Sequence, residues 1–151
     1  AQRDPIAWLQ GRGGPTWLTP HHGEFERLFP QLAALPPLQA AAEAAARSSG
    51  THGCSVLLKG AHTVVAAADG RRWQLRQTCP AAARAGLGDV LAGYAAGLGA
   101  RSLAAAAGAD AGLLALAALS HASAGQEAAN SHGQGGATAM TIAASLGTIT
   151  Q

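Results

Sequence analysis

Residues 86–93 read Gly-Leu-Gly-Asp-Val-Leu-Ala-Gly. Two glycines that run into an aspartate and then into an apolar helical pattern can aim backbone N–H groups, and the positive end of a helix dipole, at a phosphoryl group. The carboxylate at the same point, Asp89, can take a proton from an attacking hydroxyl. On its own the run also fits a plain glycine loop with Asp89 as the N-cap of a helix. Two other segments carry reactive side chains. His21-His22-Gly23-Glu24 follows Thr19-Pro20, and Lys59-Gly60-Ala61-His62-Thr63 follows an apolar run. Ten residues are Lys or Arg, yet Lys59 is the one lysine, so a compact ammonium stands where the chain otherwise uses guanidinium groups.

These residues need elements to hold them. Residues 16–19 form a short apolar run stopped by Pro20, as at the end of a buried strand. Phe25, Leu28 and Phe29 then recur at helical spacing. Pro30, Pro36 and Pro37 punctuate a loop, and residues 38–47 predict an alanine-rich helix closed by Ser48-Ser49-Gly50. Residues 55–58 read as a continuous buried strand and 63–67 as the next. Asp69-Gly70 is a hairpin signal, and 72–75 alternate like a half-exposed strand. The polar, glycine-rich residues 1–15 predict no element beyond a turn, and 76–85 an irregular connection.

From Asp89 onward the pattern is helical. Val90, Leu91, Tyr94 and Leu98 form one apolar stripe, and Ala92, Gly93, Ala96, Gly97 and Ala100 a small-residue face for close packing. Further helices are expected over 103–107 and 110–130, the latter with Leu113, Leu116, Ala117 and Ser120 on one side. A loop at 133–136 and a last helical segment after Thr138 complete the chain. Strands with crossover helices followed by a helical cluster make an α/β pattern.

Composition excludes several function classes. At 151 residues the chain fits one domain with a real core. Its net charge of +2, without a basic stripe interleaved with aromatics, argues against a nucleic-acid surface. Cys54 and Cys79 lack metal-ligand spacing and a disulfide framework, which favours a reducing compartment and no metal site built by the protein. The longest apolar candidate for a membrane span, 103–119, is broken by Gly108, Asp110 and Gly112. With no signal peptide visible, a cytoplasmic location is expected.

Taken in order, Leu18-Thr19-Pro20-His21-His22-Gly23-Glu24-Phe25, Leu57-Leu58-Lys59-Gly60-Ala61-His62-Thr63-Val64 and Ala85-Gly86-Leu87-Gly88-Asp89-Val90-Leu91-Ala92-Gly93 resemble the NAD(P)H-hydrate dehydratase family, repair enzymes with a ribokinase-like fold. The family pattern runs roughly LTPHxGEF, LKGxxT and AGTGDVLAG at comparable separations. The resemblance covers most of residues 16–130. It implies a ribokinase-like sheet flanked by helices, with residues 1–151 as the C-terminal portion of one such domain. It also implies the removal of water from hydrated NADH or NADPH, coupled to ADP in bacterial members and ATP in eukaryotic ones. A terminal phosphoryl group activates the hydroxyl of the hydrated ring, and elimination of phosphate restores the double bond.

By the same resemblance, Asp89 is the base and touches the hydrated cofactor, and His21 contacts that cofactor. Glu24 shapes the His21 loop, or serves as the first-turn acid of its helix. Lys59, Gly60, Ala61, His62 and Thr63 lie against the nucleotide, with the loop at the mouth of a parallel sheet. Gly86 and Gly88 offer amides to the phosphoryl oxygens. Magnesium is expected to neutralise the phosphates, and a homo-oligomer is left open. His22, His52, His121 and His132 have no usable spacing and are read as structural or solvated.

The chain departs from the pattern where Arg84 and Leu87 replace threonine and Cys79 replaces asparagine. Leu87 is expected to remove a hydroxyl beside the anion-binding turn while leaving the backbone donors, and Arg84 to add a charge that could meet a phosphate. Family members are nearly twice as long, and their first half supplies leading sheet strands and further cofactor contacts. The chain is therefore expected to be a trimmed fragment, one half of a partnered site or a decayed copy, and to be inactive or poorly folded alone. Two other readings compete. A kinase of the same fold, acting on a vitamin-precursor alcohol such as hydroxyethylthiazole or hydroxymethylpyrimidine, shares the glycine–aspartate turn but generally lacks the LTPH-x-GE block. A non-catalytic α/β fragment would only bind nucleotide or a partner chain.

Overall fold

The structure, a computed structural model, describes residues 4–76 and 86–149. Its elements run α1 (Pro5–Gln10), β1 (Thr16–Leu18), α2 (His22–Leu28), a 3-10 turn at Pro30–Leu32, α3 (Pro37–Ser48), β2 (Cys54–Leu58), β3 (Val64–Ala67), β4 (Arg72–Gln74), α4 (Leu87–Ala104), α5 (Ala111–Gly136) and α6 (Ala139–Ile149). The architecture is mixed α/β, in keeping with the ribokinase-like resemblance. The chain divides into two compact units, Ala1–Gln74 and Leu75–Gln151.

The first unit is built on a four-stranded sheet in the order β1-β2-β3-β4. β1 and β2 are parallel, with Thr16 opposite Cys54 and Leu18 opposite Val56. Parallel neighbours cannot be joined by a hairpin, so the chain crosses over through α2 and α3 before returning as β2. The remaining pairs are antiparallel, β2 with β3 and β3 with β4. The sheet is thus a parallel pair extended by a meander, and not the all-parallel arrangement that crossover connections alone would build. The Asp69-Gly70 signal holds: Gly70 donates its N–H to the Ala67 carbonyl and takes a φ of +91°, open to glycine without strain.

Burial follows the apolar pattern. Val56, Leu58, Val64 and Ala66 pack with Phe25, Phe29, Leu32 and the alanines of α3 in one core. The Phe25 and Phe29 rings lie 5.1 Å apart at a tilt of 47°. α3 begins with Pro37 in its first turn, where the missing N–H has no helical partner to lose. Cys54, at the start of β2, is buried with a free thiol, and burial pushes its pKa up to about 11. It therefore behaves as a small apolar side chain.

α1 is an element that the glycine-rich composition concealed. Asp4 caps it by accepting the Ile6 N–H at 3.0 Å, and Pro5 opens its first turn. Those two residues were the legible signal. Its last residue, Gln10, donates from Nε2 to the Arg47 carbonyl at 2.7 Å and so caps the end of α3. At that point a side chain on Gly50 would collide with the Gln10 backbone carbonyl.

The second unit is helical. α4 runs unbroken to Ala104, so no separate helix forms at 103–107; the segment holds no breaker before the turn that carries Ala106 at φ +56°. Its buried residues are Leu87, Leu91, Ala95 and Gly99. Ala92, Gly93, Ala96, Gly97 and Ala100, expected to be the packing face, are exposed. In α5 the buried residues include Leu114, Ala117 and Ala118, whereas Leu116 points outward. Alanine-rich helices show little contrast between faces, and periodicity alone misplaced these by a fraction of a turn. Gly133, at φ +71° and ψ 166°, breaks the helical path near the end of α5, within the expected loop. Among the described residues no helix is long and apolar enough to cross a membrane.

Replacing Gly50 by alanine forces Cβ into the Gln10 carbonyl, so the end of α1 must shift from α3. Gly50→Ala is expected to lower stability by about 1–3 kcal/mol, read as an earlier midpoint in urea unfolding. An unchanged midpoint would show that α1 does not depend on this close approach.

Candidate functional site

Two of the three sequence blocks meet in the first unit, at the carboxyl ends of β1 and β2. Beyond Leu18 the chain runs through Thr19 to Pro20, whose carbonyl accepts the Lys59 N–H at 2.9 Å. His21 and Lys59 form the next parallel bridge. Proline donates nothing to the ladder, but its carbonyl remains free to accept. Strand pairing therefore carries on past the end of β1 just far enough to place His21 beside Lys59.

His21 then starts α2 as its N-cap. Its Nδ1 accepts the Glu24 N–H at 3.3 Å, and its own N–H donates to Glu24 Oε2 at 2.7 Å. This reciprocal pair is a capping box with histidine in the place usually taken by serine or threonine. Because Nδ1 accepts, the proton of the neutral ring sits on Nε2, 3.5 Å from Glu24 Oε1. Glu24 also lies 3.6 Å from the Lys59 ammonium through Oε2. The His21 backbone hydrogen bond, aided by the charge of Lys59, holds the Glu24 carboxyl below the usual carboxylate range against a smaller effect of desolvation. Glu24 was expected to shape the His21 loop or to serve as a first-turn acid. It does both, and its contact with Lys59 was missed. The His-x-x-Glu spacing was the available signal for the box, but nothing local in sequence pointed to a lysine 35 positions away.

Lys59 ends the parallel pair, while residues 60–63 form the connection into β3. The loop therefore belongs to an antiparallel hairpin, and of residues 59–63 Lys59 alone stands at the mouth of the parallel pair. Gly60, Ala61 and His62 are exposed, and Thr63 donates from Oγ1 to the Gly60 carbonyl at 3.4 Å, which closes the loop on itself.

The third block lies in the second unit. Gly86 is the N-cap of α4 with φ +82°, a left-handed conformation that a side chain would strain. It supplies no side-chain cap hydrogen bond to the amides that open the helix. Gly88 and Asp89 follow in the first turn, and Asp89 is exposed. Asp89 is thus a first-turn acid and not the N-cap, a position where the helix dipole favours its negative charge. Leu87 does not flank the turn as expected. It is buried with Ala124, Ala128, Ile142 and Leu146 and fixes the start of α4 to α5 and α6. Cys79 and Arg84 lie outside the described residues.

The structure thus brings together His21 and Lys59 in one unit, and Gly86, Gly88 and Asp89 in the other. His22, His52 and His132 are exposed, and His121 is buried in α5. Among the described residues no three His, Cys, Asp or Glu side chains cluster as a metal-binding group.

A family model described as NAD(P)H-hydrate dehydratase matches residues 2–147. The bifunctional NAD(P)H-hydrate repair enzyme of Synechocystis is 47% identical over 93 residues, which cover 62% of this chain and 17% of that protein. The corresponding enzyme of Gloeobacter violaceus is 51% identical over 85 residues, 56% of this chain and 16% of the relative. The ADP-dependent (S)-NAD(P)H-hydrate dehydratase of Cenarchaeum symbiosum is 42% identical over 82 residues, 52% of this chain and 27% of the relative. The matched stretch therefore spans well under a third of the length of each of these proteins. No solved structure matches the chain significantly.

The lowered Glu24 pKa has a consequence for stability. A carboxylate whose pKa is depressed on folding stabilises the fold above its unfolded value, and that contribution is lost as pH falls through the folded value. Glu24→Gln should flatten the loss of stability across this acidic window. Because the Glu24 side chain is 43% exposed, solvent screening limits the effect to less than about 1 kcal/mol. Urea unfolding at neutral and acidic pH measures it; equal acid sensitivity in wild type and variant would show that Glu24 carries no such linkage.

Proposed function

Since the chain belongs to the NAD(P)H-hydrate dehydratase family, we propose that it takes part in nucleotide-dependent dehydration of hydrated NADH or NADPH. The observation that carries this reading is the meeting of His21 and Lys59, from two separate family blocks, at the carboxyl ends of a parallel strand pair. In open α/β sheets, ligands bind outside the carboxyl ends of the strands. An adenine nucleotide is the co-substrate, ADP being the one named for the Cenarchaeum relative.

In this reading Lys59 meets a nucleotide phosphate as a compact point charge. The loop from Gly60 to Thr63 lies along the nucleotide, and its small residues allow a close approach. His21 contacts the hydrated nicotinamide ring. Its imidazole, held by Glu24, has a fixed orientation and so costs little further ordering on binding.

Asp89 serves as the base. Its carboxylate takes the proton of the ring hydroxyl as that oxygen attacks the terminal phosphorus and the remainder of the nucleotide departs. The amides of Gly86 and Gly88, at the positive end of α4, stabilise the charge that develops on the phosphoryl oxygens. The ring then expels inorganic phosphate and gives up a proton from the neighbouring carbon, which restores the double bond. Magnesium, carried by the nucleotide phosphates, would neutralise their charge.

Asp89→Asn keeps the size of the side chain and removes the proton acceptor. Wherever the chain recovers NADH from its hydrate, alone or with a partner, the variant is expected to lower that rate by about two to four orders of magnitude, with ADP affinity changed little. The recovery of absorbance from the reduced nicotinamide, run with and without ADP, measures it. Undiminished recovery in the variant would remove Asp89 from the role of base, and phosphorylation of a small alcohol in place of dehydration would favour the kinase reading.

A further inference from the structure

Among the described residues of the first unit, the Glu24 carboxylate pairs with both proposed contact residues. Its Oε2 accepts the His21 N–H at 2.7 Å and lies 3.6 Å from Lys59 Nζ, while Oε1 lies 3.5 Å from His21 Nε2. The two partners come from opposite sides, His21 from the start of α2 and Lys59 from the end of β2. Their backbones are already joined through the bridge between them and the Lys59–Pro20 hydrogen bond. Lys59 is the less exposed member of the ion pair, with its side chain 26% accessible. An ordinary capping box needs only the backbone contacts, and a glutamine satisfies it equally well. The negative charge is therefore surplus to the requirements of the helix, and it is spent on Lys59 and on the His21 ring.

We propose that Glu24 is a positioning residue that couples Lys59 to His21, so that a phosphate arriving at the lysine is felt at the histidine. This rests on the reading above, in which Lys59 meets the nucleotide and His21 the hydrated ring. With no nucleotide, the ammonium divides its hydrogen bonds between water and Glu24. A phosphate draws the ammonium away, and the carboxylate, released from one cation, tightens on the other partner that it already holds. The occupied nucleotide site would thereby set the orientation of the imidazole that receives the second substrate. The two arms of the device are the contacts of the Glu24 carboxylate with His21 and with Lys59.

The test uses nuclear magnetic resonance on the whole chain, with the side-chain methylene signals of Lys59 assigned directly because the chain has no other lysine. In the first arm the pH is lowered through the carboxylate range, below that in which imidazoles titrate. The Lys59 signals and the His21 amide are expected to move with one shared midpoint in the wild type and in Glu24→Asp, and to lose that transition in Glu24→Gln. A Glu24 that acted only as the helix cap would leave no such midpoint at the lysine. In the second arm ADP is added at neutral pH. Both signals are expected to shift in the wild type, whereas Glu24→Gln keeps the Lys59 shift and loses that of His21. Separate midpoints in the first arm, or a His21 response to ADP that survives Glu24→Gln, would overturn the proposal. If ADP moves neither signal in the wild type, the nucleotide reading of Lys59 fails, and with it the coupling to nucleotide; a shared midpoint would then leave only the ion-paired cluster.

Discussion

The hydrogen bond from the Lys59 amide to the Pro20 carbonyl is the constraint on which the first unit turns. It lies beyond the last regular pair of β1 and β2, Leu18 with Val56, where a strand would ordinarily peel away. Parallel pairing obliges the chain to cross over through helices, and α2 must begin at once. The residue that ends the strand therefore also has to cap the helix. His21 does both, and Glu24 three positions later completes the cap. Strand end, helix start and lysine are thereby locked into one small arrangement, each by the geometry of the others.

The energetic weight of this arrangement is modest. Ion pairs between partly exposed groups contribute little to stability, since water and salt screen them and long side chains lose entropy on pairing. What the cluster supplies is orientation. A histidine with both ring nitrogens engaged by one glutamate residue has few rotamers left. A lysine held beside a carboxylate stays at the strand end and does not sweep through solvent. Preorganisation of this kind matters for recognition more than for the folding equilibrium.

The second unit solves a different problem with different materials. Its helices are rich in alanine and glycine, so they approach through small side chains, and the few larger ones carry much of the burial. Leu87 is one of these. Fully buried at the first position of α4, it anchors the helix start to α5 and α6. Gly86 just before it takes a left-handed conformation. An apolar anchor and a permissive glycine together define where the helix opens and leave the first-turn Asp89 in solvent. A leucine serves here because its side chain faces the core and not the turn.

Much of this was legible in the order of residues. The apolar runs at 55–58 and 63–67 read as strands, Asp69-Gly70 read as a hairpin turn, and the three blocks together carried the family resemblance. These features are local or additive, and local sterics decide them. Others depended on partners far away in the chain. Whether Leu116 or Leu114 faced inward could not be read from a helix made largely of alanine, because its faces differ too little in hydrophobicity. The meander beyond β2 and the burial of Leu87 were settled by what packs against them. The contact between Glu24 and Lys59 likewise exists only because a parallel crossover brings the two ends together. Sequence order specifies which residues can do chemistry; long-range packing alone determines which of them meet.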